Sequence, residues 1–468
     1  MDCNDDGGAV PCSASGLGID SAQLQANANN VLSAIGLVQS HGAASVAVLF
    51  ETDGGAVQAT PIFAAFDDGG AETLPVLGLA ASTDYAMQFV ASDGDGGLAR
   101  SPVLDFSTAA LPPEVAALNT FTVVQNGPVE PGYFVVPKLS SGTVTPPQPV
   151  MVVDRSGQVV WYVDLTTQPD GDFQKQPDGT YDVAAAGPYF NTVRTGIFEK
   201  FDVLGNLLAS YTLPDPDGGT DPHELRTLPD GDMLILGDTL RVLDMTAYDG
   251  GSSATVIGNT LYRIHPDGGA AFIWDSFDHT TPADVDPALV AVTNNPLDET
   301  HCNAIDQTSD GNYLVSSRHM SQLWKIDATT GDVIWKLGRH GDFTFVNDPL
   351  NGFGGQHFAR ETAPDRILLF DDGNSHSPQV SRAAEYQLAF DPATGAPTTA
   401  TLVWSYNPGI YGFAMGSAQR LPNGNTVITY GTDSRIDEVD PSGNLLWQLN
   451  DPHPAFGLYR GLFIDSLY

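Results

Sequence analysis

Two short patterns recur in alternation from about residue 150 to the end of the chain, and they restrict the fold more than any other feature. The first is an apolar strand, a glycine-bearing turn and a second strand that usually ends in tryptophan. It runs over Val152 to Trp161, Lys200 to Leu208, Tyr262 to Trp274, Lys325 to Trp335, Phe390 to Trp404 and Val439 to Trp447. The second is a hairpin on Pro-Asp-Gly or a relative, at Gln176 to Gly179, Leu228 to Leu236, Ser309 to Val315, Ala363 to Leu369 and Leu421 to Ile428. Two hairpins per unit make four strands, the content of one propeller blade, so the six copies predict a six-bladed β-propeller over residues 113–468.

Ahead of the repeats, period-2 alternation marks Ser45 to Phe50, Tyr85 to Ala91 and Val103 to Ser107, which predicts a β-sandwich over residues 17–112. The spacing of Leu79, Tyr85, Phe89 and Ala91 resembles the later strands of fibronectin type III domains. Ala109 to Pro113 reads as a linker stiffened by proline. The whole chain is therefore expected to be all-β: an N-terminal Ig- or fibronectin III-like sandwich followed by the propeller. Residues 1–16 read as a flexible tether, similar to the polar segment after the lipidated cysteine of an exported lipoprotein, with Cys3 either lipidated or paired with Cys12.

Charge narrows the function. There are 57 acidic and 19 basic residues, a net charge of −38, and no lysine or arginine precedes Arg100. Such a surface repels nucleic acid and anionic lipid head groups, and no apolar run reaches the ~18–20 residues of a membrane span. A periplasmic or extracellular location, lipid-anchored or free, fits this composition. Small molecules are the expected partners, and the sandwich offers a surface either for a homodimer or for capping the propeller.

The histidines are unevenly placed: nine of ten lie from His223 onward. Aligned on the second pattern, His223 stands eight residues before Gly231, Asn303 eight before Gly311 and His357 eight before Asp365. Equivalent positions in successive blades surround one axis. His301, two residues before Asn303, should share its face on an extended strand, and Arg318 follows on the next strand. These five are expected to converge on the central channel, whereas His265, His279, His340, His376 and His453 show no such regularity. The glycines of Gly352-Phe-Gly-Gly-Gln-His357 either make a turn or open the backbone beside His357 to a substrate.

Asp298 to Ile305, Ser316 to Met320, Ile334 to Gly338, Gly355-Gln-His357, Leu369 to Asn374 and Tyr459-Arg460 together resemble the ordered motifs of the bacterial arylsulfate sulfotransferases, over roughly residues 113–468. The resemblance implies transfer of a sulfuryl group from an aryl sulfate to a phenol, without a nucleotide sulfate donor and without a cofactor. It also implies ping-pong kinetics through a sulfated His357, with His223, His301, Asn303 and Arg318 around the sulfate. Cys302 departs from the apolar residue expected there, and a cysteine pair near His357 is absent from the sequence. The residue types suit the chemistry: a neutral imidazole is a nucleophile that also leaves, Arg318 and Asn303 offer donors to sulfate oxygens, and His301 or His223 can protonate the departing phenolate. Two other readings compete. A metal-dependent hydrolase would use the channel histidines, although the aligned positions offer no carboxylate ligand and Arg318 is a poor neighbour for a dication. A non-catalytic binding propeller would leave the histidines without a task.

Overall fold

The computed structural model describes residues 16–65, 71–140, 147–190, 193–213, 218–452 and 457–468. The tether with Cys3 and Cys12, and His453, lie outside the described residues. The chain divides into two compact units, Met1–Leu111 with Tyr468, and Pro112–Leu467. Both are built from strands, and among the described residues helix is limited to Pro113–Leu118 and a few 3-10 turns.

In the first unit, strands Gly18–Ala26, Ala34–His41 and Glu72–Val76 form one antiparallel sheet. A second sheet is built around Ser45–Glu51 and Asp84–Ser92. Alternate residues of these two strands are buried, as the period-2 pattern requires. Val38 and Leu74 from the first sheet and Val48, Met87 and Phe89 from the second share one core.

Among the described residues the second unit holds six sheets of four or five strands, antiparallel but for the parallel pairings of Leu297–Asp298 and Thr344–Val346, apart from the short pair Lys138–Leu139 and Gly457–Leu458. In five of the sheets the two sequence patterns supply the two hairpins. The remaining sheet is joined by the end of the chain: Leu462–Ile464 pairs with Tyr133–Val136. The start of the unit, Thr122–Gln125, in turn adds to Leu445–Asn450. The inner strands Pro169–Lys175, Gly218–Thr227, Cys302–Gln307, His357–Ala363 and Ser417–Arg420 neighbour one another in turn, and the last meets Leu462–Ile464. The result is a closed, propeller-like ring of sheets.

The repeated turns follow from local chemistry. The aspartate of the first pattern accepts hydrogen bonds from backbone N–H groups ahead of it, as Asp154 does from Ser156 and Gln158, Asp202 from Leu204 and Asn206, and Asp440 from Ser442 and Asn444. The glycine after it takes a left-handed φ, 82° at Gly157 and 79° at Gly205, which closes the hairpin. Three of the tryptophans tie their sheet to the next. Trp161 Nε1 donates to the carbonyl of Val203 (2.8 Å), Trp404 to Pro441 (3.1 Å) and Trp447 to Arg155 (2.9 Å). Each acceptor is in the turn of the following repeat.

Candidate active site

Four of the inner strands share an irregularity at one level, and the functional side chains sit there. Pairing slips between Pro169 and Phe173, Thr220 and Leu225, Cys302 and Ala304, and His357 and Arg360. A bulge frees a residue from the ladder and re-aims its side chain, so four successive sheets present Asp172, His223, Asn303 and His357 at corresponding irregularities.

His357 opens its strand after the glycine-containing segment. That segment is pinned on both sides. The Gln356 side-chain amide donates to Ser316 Oγ, Ser317 O and Gln322 O (3.0, 3.0 and 2.9 Å), and Gly354 N–H donates to Asp371 (3.0 Å). A Cβ at Gly355 would come within 2.2 Å of Asn374 Oδ1, so this glycine serves close packing against the protein's own 374 loop. Asn303 Nδ2 donates to the Gln356 carbonyl (2.8 Å), which directs it to the peptide preceding His357.

The His357 ring is 2% exposed and makes two contacts: Nδ1 with Asp372 Oδ2 (2.7 Å) and Nε2 with the backbone N–H of Met415 (3.3 Å). The second contact requires a lone pair on Nε2, so Nδ1 carries the hydrogen and Asp372 receives it. Burial, followed by the charges of Arg318, His301 and His223, holds His357 well below the ordinary histidine range, and the ring is neutral. It presents an unprotonated nitrogen backed by a carboxylate.

His223 is oriented by Asp221, which takes both its backbone N–H (2.8 Å) and Nδ1 (2.7 Å) across the bulge. Burial lowers the basicity of His223, but Asp221 and Asp298 more than offset this and raise it above the usual value. The His301 ring stands against His223 with centroids 4.7 Å apart, its Nδ1 on Asp298 (2.6 Å). The two-residue alternation argument fails for this histidine. His301 has φ of 48° and lies in the turn before strand Cys302–Gln307, so the turn, not strand alternation, brings it to the site. Arg318 likewise follows strand Tyr313–Ser317 instead of lying on it. Its Nη2 donates to the Phe413 carbonyl (3.0 Å), and its Nε is buried without a partner among the described residues.

The fold thus gathers all five expected residues in one electrostatic neighbourhood, with groups that sequence reasoning passed over. His319 packs on His301 at 4.5 Å, and burial pushes it down to about 3, so it is neutral. Tyr459 donates to the His223 carbonyl (3.0 Å). Beneath the site, Arg460 is fully buried, bonded to Asp172 (2.8 Å) and the Asn303 carbonyl (2.7 Å), with Glu224 and Arg360 beside it. Asp221-Pro-His223 and Asp298-Glu-Thr-His301 were visible as carboxylate–histidine spacings; Asp372 stood in a quoted motif without a role. Cys302 is fully buried with Leu236, Trp274 and Trp324, and its thiol is pushed well up by burial. It acts as the apolar residue that it replaces.

For a metal, the fold supplies the carboxylate that the aligned positions lacked. Asp298, His301 and His319 offer ligand atoms within 4.8 Å of one another. Within this group His301 Nδ1 meets Asp298 Oδ2 (2.6 Å), and His319 Nδ1 meets the Asp298 carbonyl (2.7 Å).

The site is a bulged ring of histidines backed by carboxylates, with one arginine at its rim. Residues 196–451 match the family model described as arylsulfotransferase (ASST), more than half of the chain, and the protein belongs to that family. No curated protein matches the chain. Among solved structures, a protein of unknown function from Bacteroides caccae is similar at 13% identity over 72% of this chain and 100% of that one, with a TM-score of 0.46. A catalytically inactive virginiamycin B lyase from Staphylococcus aureus with quinupristin shares 12% identity over 69% and 87% of the two chains (TM-score 0.35). A calcium-binding protein, regucalcin, from Agrobacterium tumefaciens shares 13% over 73% and 93% (TM-score 0.32).

Proposed function

We propose that the protein moves a sulfuryl group from an aryl sulfate to a phenol in two half-reactions through a sulfohistidine at His357. The site lies in the channel of a six-bladed propeller, residues 113–468, preceded by a sandwich domain, residues 17–112. Export to the periplasm or cell surface, with Cys3 as the point of lipid attachment, belongs to the same reading and is supported by the acidic, polar leading segment.

The observation that carries the proposal is the pair of contacts on His357: Nδ1 held by Asp372, and an unprotonated Nε2 whose lone pair faces only the Met415 N–H at 3.3 Å, a contact that attack on sulfur replaces. In the first half-reaction Nε2 attacks sulfur. The N–S bond forms, the S–O(aryl) bond breaks, and the electron pair leaves on the phenolate oxygen. His223, made more basic by Asp221, gives that oxygen its proton. Arg318 neutralises charge on the equatorial oxygens of a loose transition state, as expected by analogy with phosphoryl transfer. Asp372 balances the positive charge that the sulfonated ring acquires. In the second half-reaction the acceptor phenol yields its proton to His223, its oxygen attacks sulfur, and the N–S electron pair returns to Nε2.

Intact-protein mass after brief exposure to 4-nitrophenyl sulfate, quenched at neutral to alkaline pH, tests this directly. A gain of ~80 Da, one sulfuryl group, is expected in wild type and not in His357→Ala. Nitrophenol release without an adduct in either protein would overturn the covalent step.

A further inference from the structure

Asn259 lies on strand Ala254–Ile264, outside every motif considered above, and is 2% exposed. Its nitrogen donates to Asp221 Oδ2 (3.2 Å), Asp238 Oδ1 (3.0 Å) and the Gly237 carbonyl (3.3 Å). Its oxygen accepts from Thr300 Oγ1 (2.7 Å) and the backbone N–H of Cys302 (2.8 Å). The network fixes the amide's orientation: only nitrogen can face two carboxyl groups, and only oxygen can take a hydroxyl and an N–H together.

The partners are the supports of two histidines. Asp221 holds the ring of His223. Thr300 and Cys302 flank His301, whose φ of 48° a residue with a Cβ adopts only under constraint. The turn is tied on its other side by His319 N–H to the Thr300 carbonyl (3.1 Å) and Arg318 N–H to the His301 carbonyl (3.1 Å). One buried amide therefore joins the carboxylate that orients His223 to both neighbours of His301, and the two rings meet at 4.7 Å. Asp238, deeply buried and facing Asp221, is pushed well up by burial and then by that neighbour.

We infer that Asn259 is a positioning residue that fixes His223 and His301 relative to each other. The inference rests on the sulfotransferase reading, because that reading gives the histidine pair its work at the leaving oxygen. A donor–acceptor amide is required. Serine is too short to span both sides, and aspartate would set a third carboxyl against Asp221 and Asp238.

The test compares wild type, Asn259→Ser, Asn259→Asp and Thr300→Val, the last removing one bond to the amide without changing side-chain shape. Two readouts are taken: single-turnover kinetics with phenyl sulfate, and nitrogen-15 NMR of the histidine rings in the absence of substrate. In the Asn259 variants the chemical step is expected to slow by on the order of 10²-fold with KM little changed, Thr300→Val lying between them and wild type. The ring signals of His223 and His301 should shift while that of His357 stays. In a His301→Ala background, Asn259→Ser should cost less than about threefold further, because the two act through one arrangement. Equal losses in both backgrounds, or unshifted His223 and His301 signals in any folded variant, would overturn the inference. If wild type shows no turnover, the sulfotransferase reading fails, and the ring spectra still decide the role of Asn259.

Discussion

Replacing Asp372 by asparagine isolates one charge in the proposed chemistry. The carboxylate oxygen lies 2.7 Å from His357 Nδ1, and both side chains are buried. While the ring is neutral, Asp372 acts as a hydrogen-bond acceptor, a role the asparagine oxygen can fill. Burial pushes the Asp372 carboxyl well above the usual carboxylate range, so its charge counts most when the Nε2–S bond forms: the ring becomes cationic and favours the ionised carboxylate, with charge centres about 4 Å apart. At an effective dielectric near 20 that attraction is about 4 kcal/mol, roughly a 10³-fold effect on the rate of sulfation. The loss is expected to reach at least this size. Asp372 Oδ1 has no partner among the described residues, so the Met415 N–H facing Nε2 is what opposes an asparagine that turns its NH₂ toward Nδ1. That rotation would move the ring hydrogen to Nε2 and remove the nucleophile. The assay is a rapid-quench single turnover with 4-nitrophenyl sulfate, following nitrophenol release and the mass adduct together, with circular dichroism to confirm folding. A folded Asp372→Asn protein that sulfates within about fivefold of wild type would refute the cationic intermediate.

Arg318→Gln should lower kcat/KM for aryl sulfates by roughly 10²–10³-fold, the usual cost of losing one preorganised transition-state donor, with Arg318→Lys recovering part of it in steady-state assays. The alkaline limb of the pH profile should belong to His223. Its pKa is raised in the fold, so its proton is kept to higher pH than in a free histidine and lost as pH rises through that raised value. Phenyl sulfate, which needs the acid, should lose kcat/KM on the alkaline side more than 4-nitrophenyl sulfate, and Asp221→Asn should move the limb to lower pH; a limb that stays put counts against this assignment. At the rim, Phe413 and Tyr411 are 48% and 37% exposed, and the Phe413 carbonyl bonds both Arg318 and Asn374. Phe413→Ala should therefore raise KM for aryl substrates about tenfold while the intermediate's mass and yield at saturation stay those of wild type.

What could be read ahead of the structure was what is encoded locally. An aspartate that caps its own turn and a glycine that closes it act within four residues, so the hairpins and their repetition were plain, and alignment on those turns found His223, Asn303 and His357. The rest depends on contacts between distant segments. Strand Leu462–Ile464 carries no turn signature, and only its pairing with Tyr133–Val136 reveals that the last strand completes the first sheet. The bulges, the left-handed His301, the Met415 amide on His357 and the Asn259 amide are set by tertiary neighbours. Alternation placed His301 beside Asn303 by a route the backbone does not take.

The net charge of −38 and an anionic substrate are reconciled by where the site puts its carboxylates. Asp221, Asp298 and Asp372 each engage the Nδ1 side of a histidine, leaving Nε2 on the opposite edge of the ring. Negative charge lies behind the rings, while the guanidinium of Arg318 is at the rim. Surface charge farther away is attenuated over ~8–10 Å by salt, so an entering sulfate responds chiefly to the groups within contact. The choice of histidine over more arginine also follows. In the proposed reaction the sulfuryl group arrives, stays bound to nitrogen and then departs with a second phenol. A ring of fixed cations would stabilise the bound anion at every stage and deepen the ground state as much as the transition state. In the proposed reaction His357, neutral until its N–S bond forms and backed by Asp372, stabilises the transfer without trapping what is transferred.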